Sequence, residues 1–175
     1  WIAGGINNQL RTSTNAVTWV TQNPNFVSIF SVIYNNGLWL AGGGTGQVRT
    51  STDAVTWVTQ NSEFWYTYYQ TIQSTAYSNN LWLIGGASGQ LRTSTDTITW
   101  ISQISNISNG IISISYGKSL FVAIGDSIPS YVSNSTNGIN WVSSATINTL
   151  GSFNNAAYGN GLWVAAGNGN ELYSS

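Results

Sequence analysis

The chain has no cysteine, no histidine and no methionine among its 175 residues. Without cysteine there is no disulfide and no thiol chemistry. Without histidine as well, the usual zinc ligands and the commonest general acid–base are gone. The missing methionine sets the expectation that the chain is processed, trimmed or cut from something longer. Charge is also scarce. Only 5% of residues are charged, the net charge is −1, and a typical domain has about 25%. The four basic residues, Arg11, Arg49, Arg92 and Lys118, are too few for a patch that grips phosphates, so nucleic acid is not an expected partner. No run of 18 apolar residues and no basic amphipathic stretch occurs, so membrane insertion is not expected either.

What remains is aromatic and amide-rich. Aromatics make up 13% of the chain, with nine Trp and nine Tyr, which separates it from disordered chains. Solubility must then come from Asn, Ser, Thr, Gln and Gly. Such a surface is typical of proteins outside the cytosol, and the expected location is extracellular or on a virion or cell surface.

One phrase recurs through the chain. Trp1-Ile-Ala-Gly-Gly5 returns as Trp39-Leu-Ala-Gly-Gly43, Trp82-Leu-Ile-Gly-Gly86, Phe121-Val-Ala-Ile-Gly125 and Trp163-Val-Ala-Ala-Gly167, at steps of 38, 43, 39 and 42 residues. A tyrosine stands five residues before each aromatic but the first, at Tyr34, Tyr77, Tyr116 and Tyr158. A second tryptophan follows 18 residues on, at Trp19, Trp57 and Trp100, and 20 residues on at Trp141, where the fourth unit carries an insert around Ser127-Ile-Pro129.

Each unit reads as four short strands. In the second unit these are Val27–Tyr34, Leu38–Gly42, Gln47–Ser51 and Val55–Thr59. An Asn-Asn-Gly hairpin signal, the Gly-rich loop Gly43–Gly46 and a tight turn at Thr52–Ala54 separate them. No segment has an apolar period fit for a helix. Four strands in about 40 residues make a propeller blade, and the near-continuous apolar second strand suits burial between neighbouring blades. A parallel β-helix is the alternative, but its coils are shorter and need no paired hairpins. The expected class is therefore all-β, a β-propeller of four-stranded antiparallel blades in one repeat domain. The units are 1–26 (partial), 27–63, 64–106, 107–148 and 149–175 (partial). Strands are expected in the order three, four, four, four, three. Two readings stand: five blades that close imperfectly or with a second copy, or a segment of a larger ring.

The turns between third and fourth strands read Ser13-Thr-Asn-Ala-Val-Thr-Trp19, Ser51-Thr-Asp-Ala-Val-Thr-Trp57, Ser94-Thr-Asp-Thr-Ile-Thr-Trp100 and Ser135-Thr-Asn-Gly-Ile-Asn-Trp141. This resembles the Asp-box, or bacterial neuraminidase repeat, with its Ser-x-Asp-x-Gly-x-x-Trp pattern. Here Asp and Trp are one residue closer, the Gly is replaced by Val or Ile, and Asn replaces Asp in two units. Together with phrases such as Tyr158-Gly-Asn-Gly-Leu-Trp-Val-Ala165, the turns look like those of phage, giant-virus and bacterial surface propellers. The resemblance implies that Asn15, Asp53, Asp96 and Asn137, with Trp19, Trp57, Trp100 and Trp141, build turns and stand away from any reactive centre. A short side-chain oxygen accepting N–H groups of its own turn is the chemical reason.

The same family raises a sialidase reading, with Arg11, Arg49 and Arg92 set against the arginine triad that grips a sialic acid carboxylate. Equivalent positions in successive blades would spread these residues around a ring, so three surface arginines are expected instead. The five acids Asp53, Glu63, Asp96, Asp126 and Glu171 offer no evident glycosidase pair. Asp53 and Asp96 lack a second carboxylate for calcium, so no catalytic residue, metal or cofactor is expected. The better reading is binding. The connection from Trp57 to Tyr77 spans 20 residues, against 15 from Trp19 to Tyr34, and its added segment holds Glu63, Trp65, Tyr66, Tyr68 and Tyr69. Aromatics beside amides suit a glycan or a surface protein as partner. A passive assembly module, as a homo-oligomer or as part of a longer chain, is the second reading. The sequons Asn106-Ile-Ser108 and Asn134-Ser-Thr136 are of the kind chance supplies in so Asn-rich a chain.

Overall fold

The computed structural model describes residues 1–64, 70–128, 130–147, 152–168 and 172–174. Its strands form five antiparallel sheets. The first holds β1 (Ile2–Gly4), β2 (Leu10–Thr12) and β3 (Val20–Gln22). The second holds β4 (Ile29–Asn35), β5 (Leu38–Gly43), β6 (Val48–Ser51) and β7 (Val58–Gln60). The third holds β8 (Ile72–Ser78), β9 (Leu81–Gly86), β10 (Leu91–Ser94) and β11 (Ile101–Gln103). The fourth holds β12 (Ile111–Gly117), β13 (Leu120–Gly125), β14 (Ser130–Ser135) and β15 (Val142–Ile147), and the fifth holds β16 (Phe153–Gly159), β17 (Leu162–Gly167) and β18 (Leu172–Ser174). Within each sheet the strands lie in chain order, as blades built by consecutive hairpins do and β-helix coils do not. The chain is an all-β propeller-type array.

The spacing of tyrosine and following aromatic is a cross-strand pair. Tyr34 faces Trp39, Tyr77 faces Trp82, Tyr116 faces Phe121 and Tyr158 faces Trp163, with ring centroids 4.5 to 5.2 Å apart. Tilted pairs at this distance add to the burial term. The two residues that close each of these hairpins are left-handed, as a type I′ turn requires: Asn36 with Gly37, Asn79 with Asn80, Lys118 with Ser119, and Asn160 with Gly161.

Neighbouring sheets meet along their inner strands, β1 on β4, β4 on β8, β8 on β12 and β12 on β16. The second strand of one sheet offers a notch to the first strand of the next. A Cβ added to Gly42 or Gly85 would overlap the branch of Ile72 or Ile111. At the fourth junction Ile124 stands in the notch position and packs with Phe153 and Ala156. β4, β8, β12 and β16 each carry a bulge beside this contact, at Ile29/Ser31, Ile72/Ser74, Ile111/Ser113 and Phe153/Asn155. The hydroxyl there accepts a backbone N–H from the next sheet: Thr75 to Ser31 at 3.0 Å, Ile114 to Ser74 at 2.8 Å and Ala156 to Ser113 at 3.2 Å. A polar seam is thus satisfied where backbone groups enter the core.

Two expectations change. The second strands β5, β9 and β13 are largely buried, but β17 alternates between exposed and half-buried residues and β1 is mostly exposed. The outer sheets have a neighbouring sheet on one face only among the described residues. Among the described residues the helical elements are two single 3₁₀ turns, Gly44–Gly46 and Ala87–Gly89, in the loops after β5 and β9.

The notch and loop glycines differ from those at the hairpins. Gly86→Ala would drive a methyl into the Thr71 carbonyl oxygen, whereas a Cβ on Gly159 meets nothing. Overpacking of this kind costs about 1–3 kcal/mol, or several degrees of Tm in a chain of this size, at about 2–4 °C per kcal/mol. Thermal unfolding should show that loss for Gly86→Ala and little change for Gly159→Ala.

Candidate functional site

The turns between third and fourth strands share one hydrogen-bond set. Oδ1 of Asn15 accepts the N–H groups of Val17 and Thr18, both at 2.9 Å. Asp53 does the same for Val55 and Thr56, Asp96 for Ile98 and Thr99, and Asn137 for Ile139 and Asn140, at 2.7 to 2.9 Å. The serine two residues earlier, Ser13, Ser51, Ser94 or Ser135, donates its hydroxyl to the same oxygen. Each tryptophan then closes the turn from above. Nε1 of Trp19, Trp57, Trp100 and Trp141 donates to the carbonyl three residues back, at 2.9 to 3.2 Å. Trp100 and Trp141 are buried, while Trp19 and Trp57 are half-buried.

This geometry corrects the expected fourth strand. In the second sheet it starts at Val58, not Val55, because the Asp53 carboxylate takes the Val55 and Thr56 N–H groups that a ladder would need. The residue after Asp or Asn is left-handed in every turn: φ is 61° at Ala16 and Ala54, 64° at Thr97 and 75° at Gly138. Only the glycine of the fourth turn signals this in the sequence.

The carboxylates of Asp53 and Asp96 are held at about 2, below the ordinary 3.8, chiefly by those backbone N–H bonds, with the Ser51 and Ser94 hydroxyls adding to them. They stay ionised at any physiological pH. Asn15 and Asn137 make the same bonds without charge.

The arginines do not form a surface set. Arg11 is exposed, Arg49 half-buried and Arg92 buried, at 9% exposure. Arg49 lies over the Phe26 ring at 5.2 Å and donates to the Asn25 carbonyl at 2.9 Å. Arg92 lies over Phe64 at 5.6 Å and donates to the Glu63 carbonyl at 2.7 Å. Each clasps the connection that leads from the preceding sheet into its own. Burial pulls both guanidinium groups down from their usual range, and for Arg92 the Glu63 carboxylate, 3.5 Å away, pushes back. Arginine remains charged throughout, and the cation–π contact offsets part of the desolvation.

Glu63 is therefore tied to Arg92 by its carbonyl and its carboxylate. The other residues read as ligand contacts, Trp65, Tyr66, Tyr68 and Tyr69, lie outside the described residues. Of the sequons, Asn106 uses its side-chain amide to hold the Trp141 carbonyl at 2.7 Å. Among the described residues no group of three or more acidic residues is placed to hold a metal.

The sequence did not single out the clefts between successive turns. One, of about 370 Å³, runs between the first and second sheets. The indoles of Trp1 and Trp39, the hydroxyl residues Ser13, Thr14 and Thr18, and Asp53 of the next turn line it. Another, of about 460 Å³, lies between Gln103–Ile104 and Asn140–Trp141. The Trp that recurs near the start of four of the five second strands and the Thr-rich turns were the available signals, but only the fold brings them side by side across two repeats.

No family model matches the chain, and no curated protein does either. Solved propeller structures do. The computationally designed Ika4 protein superposes with a TM-score of 0.65 at 9% identity, over 85% of this chain and 90% of that one. The designed Ika8 protein gives 0.72 at 11% identity over 99% of this chain, and YCF48 bound to D1 peptide gives 0.72 at 17% over 99%. The chain spans 54% of Ika8 and 59% of YCF48. At these identities the likeness is one of fold.

Asp53→Asn and Asp96→Asn should keep their turns, while Asp53→Ala should lower the unfolding midpoint. The sign with pH follows from the depressed values. The stabilisation by each carboxylate is present above about 3.8 and is lost as pH falls toward about 2. Urea unfolding between these limits should show a flatter acid limb in the double Asn variant than in the parent.

Proposed function

We propose that the chain is a non-enzymatic binding module at an extracellular, virion or cell surface, taking a glycan or a surface protein. The observation that carries this is where its few charges go. Asp53 and Asp96 are engaged in turns, and Arg49, Arg92 and Glu63 in the connections between sheets. Beyond the exposed Arg11, Lys118 and Asp126, what the surface offers a partner is chiefly aromatic rings, amides and hydroxyls, which stack and hydrogen-bond but do not shuttle protons at neutral pH. We read the four turns as a shortened Asp-box on the strength of their shared Ser, Asp or Asn, and Trp. The peptide-bound YCF48 structure supports a protein partner for a fold of this kind. Fold alone does not assign the function.

A second reading, a structural assembly module, draws support from the outer rim. One branched aliphatic stands exposed in every turn: Val17 at 81%, Val55 at 52%, Ile98 at 64% and Ile139 at 48%. Exposed apolar positions repeated in this way suit lateral packing. Sedimentation across a concentration series separates the two readings, since assembly should vanish in a Val55→Thr/Ile98→Thr variant and binding should not.

A glycan array and a partner-capture assay test the binding reading, with Trp65→Ala and Tyr66→Ala expected to weaken attachment. Attachment intact in both variants would remove that segment from the reading. Turnover of a fluorogenic sialoside by the purified chain would overturn the non-enzymatic assignment.

A further inference from the structure

We infer that the groove between the third and fourth sheets is a docking site for an uncharged, extended segment of a protein partner, which sets aliphatic side chains on either side of Ile104. The inference rests on the protein arm of the reading above and gives it a place.

The repeat itself points to this junction. At the first two junctions the incoming connection carries Asn and Phe, at Asn23 and Phe26 and again at Asn61 and Phe64. The receiving third strand carries Gln and Arg, at Gln47 and Arg49 and again at Gln90 and Arg92. In both, the arginine lies over the phenylalanine ring and closes the junction. Between the third and fourth sheets all four positions change. Ile104 and Ile107 stand for Asn and Phe, and Tyr131 and Ser133 for Gln and Arg. The strand register fixes the correspondence, since Arg49 faces Ala41, Arg92 faces Ile84 and Ser133 faces Ala123. The fold has another way to close this junction and does not use it.

The changed residues meet in space. Ile104, Ile107 and Tyr131 line a cleft of about 480 Å³. Ile104 also lines the cleft of about 460 Å³ that reaches Ile139 and Trp141. Both volumes fall within the range of ligand clefts, about 300–1,000 Å³. The two share Ser102, Gln103, Ile104 and Asn106, so they flank one ridge. That ridge is fixed in advance, because the Asn106 amide donates to the Trp141 carbonyl and the Ser105 hydroxyl to the Gly89 carbonyl, both at 2.7 Å. A preorganised groove spares the cost of ordering on binding.

The chemistry of the groove selects the occupant. Among the described residues no charged side chain lines either cleft, so a charged segment would lose hydration and gain no countercharge. The open apolar surface is aliphatic. Ile104 is 80% exposed and Ile139 48%, whereas Trp141 is 6% exposed, which suits aliphatic side chains better than the ring stacking of a sugar. Ser88, Ser102, Ser108 and Asn140 are exposed beside it, and hydroxyls and amides both donate and accept, as peptide groups do. β11 is the outer strand of its sheet, and an extended chain is the form that pairs with such an edge.

The test uses the whole chain and short capped peptides of Ser, Thr, Asn and Gln that hold two leucines. The same peptides with Lys or Glu at two polar positions are the charged controls, and chito-oligosaccharides are the neutral sugar control. Binding is followed by the backbone amide signal of Ile104, the indole N–H signal of Trp141 and isothermal titration. An uncharged peptide should shift both signals. Ile104→Asn and Tyr131→Gln install the residues that the chain itself uses at its other junctions, so circular dichroism should report the fold intact. Each should weaken binding by about tenfold or more, and Val58→Thr, on the outer strand of the second sheet, should leave it unaltered. If an uncharged peptide binds while both signals stay still and Ile104→Asn binds like the parent, the groove is wrong and the protein-binding reading stands. If the charged peptides or the sugars bind more tightly, or the signals shift with chain concentration alone as for a second copy, the peptide assignment falls. If no peptide binds up to about 1 mM, the groove is overturned and the wider reading is left to its glycan arm.

Discussion

The structure depends on how closely one sheet approaches the next. Flat sheets of ordinary side chains pack about 10 Å apart, but here the second strand narrows to glycine where the following inner strand presents isoleucine. Gly42 with Ile72 and Gly85 with Ile111 set this distance, and Gly4 with Ile29 repeats it at the first junction. Close approach brings backbone as well as side chain into the seam. The Ser31, Ser74 and Ser113 hydroxyls then become necessary, because each accepts a backbone N–H of the next sheet that would otherwise enter an apolar core unpaired. Notch, knob and hydroxyl form one device, repeated at successive junctions.

Much of this was legible because the repeat prints the device several times. The Tyr and Trp spacing gave the hairpin, and its register places those rings opposite one another. The phase of the chain ends gave sheets of three, four, four, four and three strands. Illegible were features in which a side chain overrides backbone preference. Ala16, Ala54 and Thr97 adopt left-handed φ although neither residue type favours it. The neighbouring Asp or Asn oxygen and the tryptophan indole hold them there, and the same oxygen delays the fourth strand. Arg92 looked like a surface residue because arginine usually is one. Its burial depends on Phe64 and the Glu63 carbonyl, which lie 28 and 29 residues away, and no local pattern reports that. The candidate site was less legible: Glu63, read as a ligand contact, is turned onto Arg92, and no local pattern reports that either.

Scarcity of charge has a structural counterpart. Arg49 and Arg92 lie over aromatic rings of the connections, and Asp53 and Asp96 receive backbone N–H groups. A fold that uses its ions this way has few left for long-range steering, and any encounter it made would respond weakly to salt.

The junctions also decide how the molecule comes apart. Inner strands meet in sequence, each with the one before and the one after, and a four-stranded sheet closes its own hydrogen bonds locally. Cohesion is then a chain of nearest-neighbour couplings, as in other repeat architectures. A sheet packed on both faces, such as the third, is released only when the junction on each side gives way.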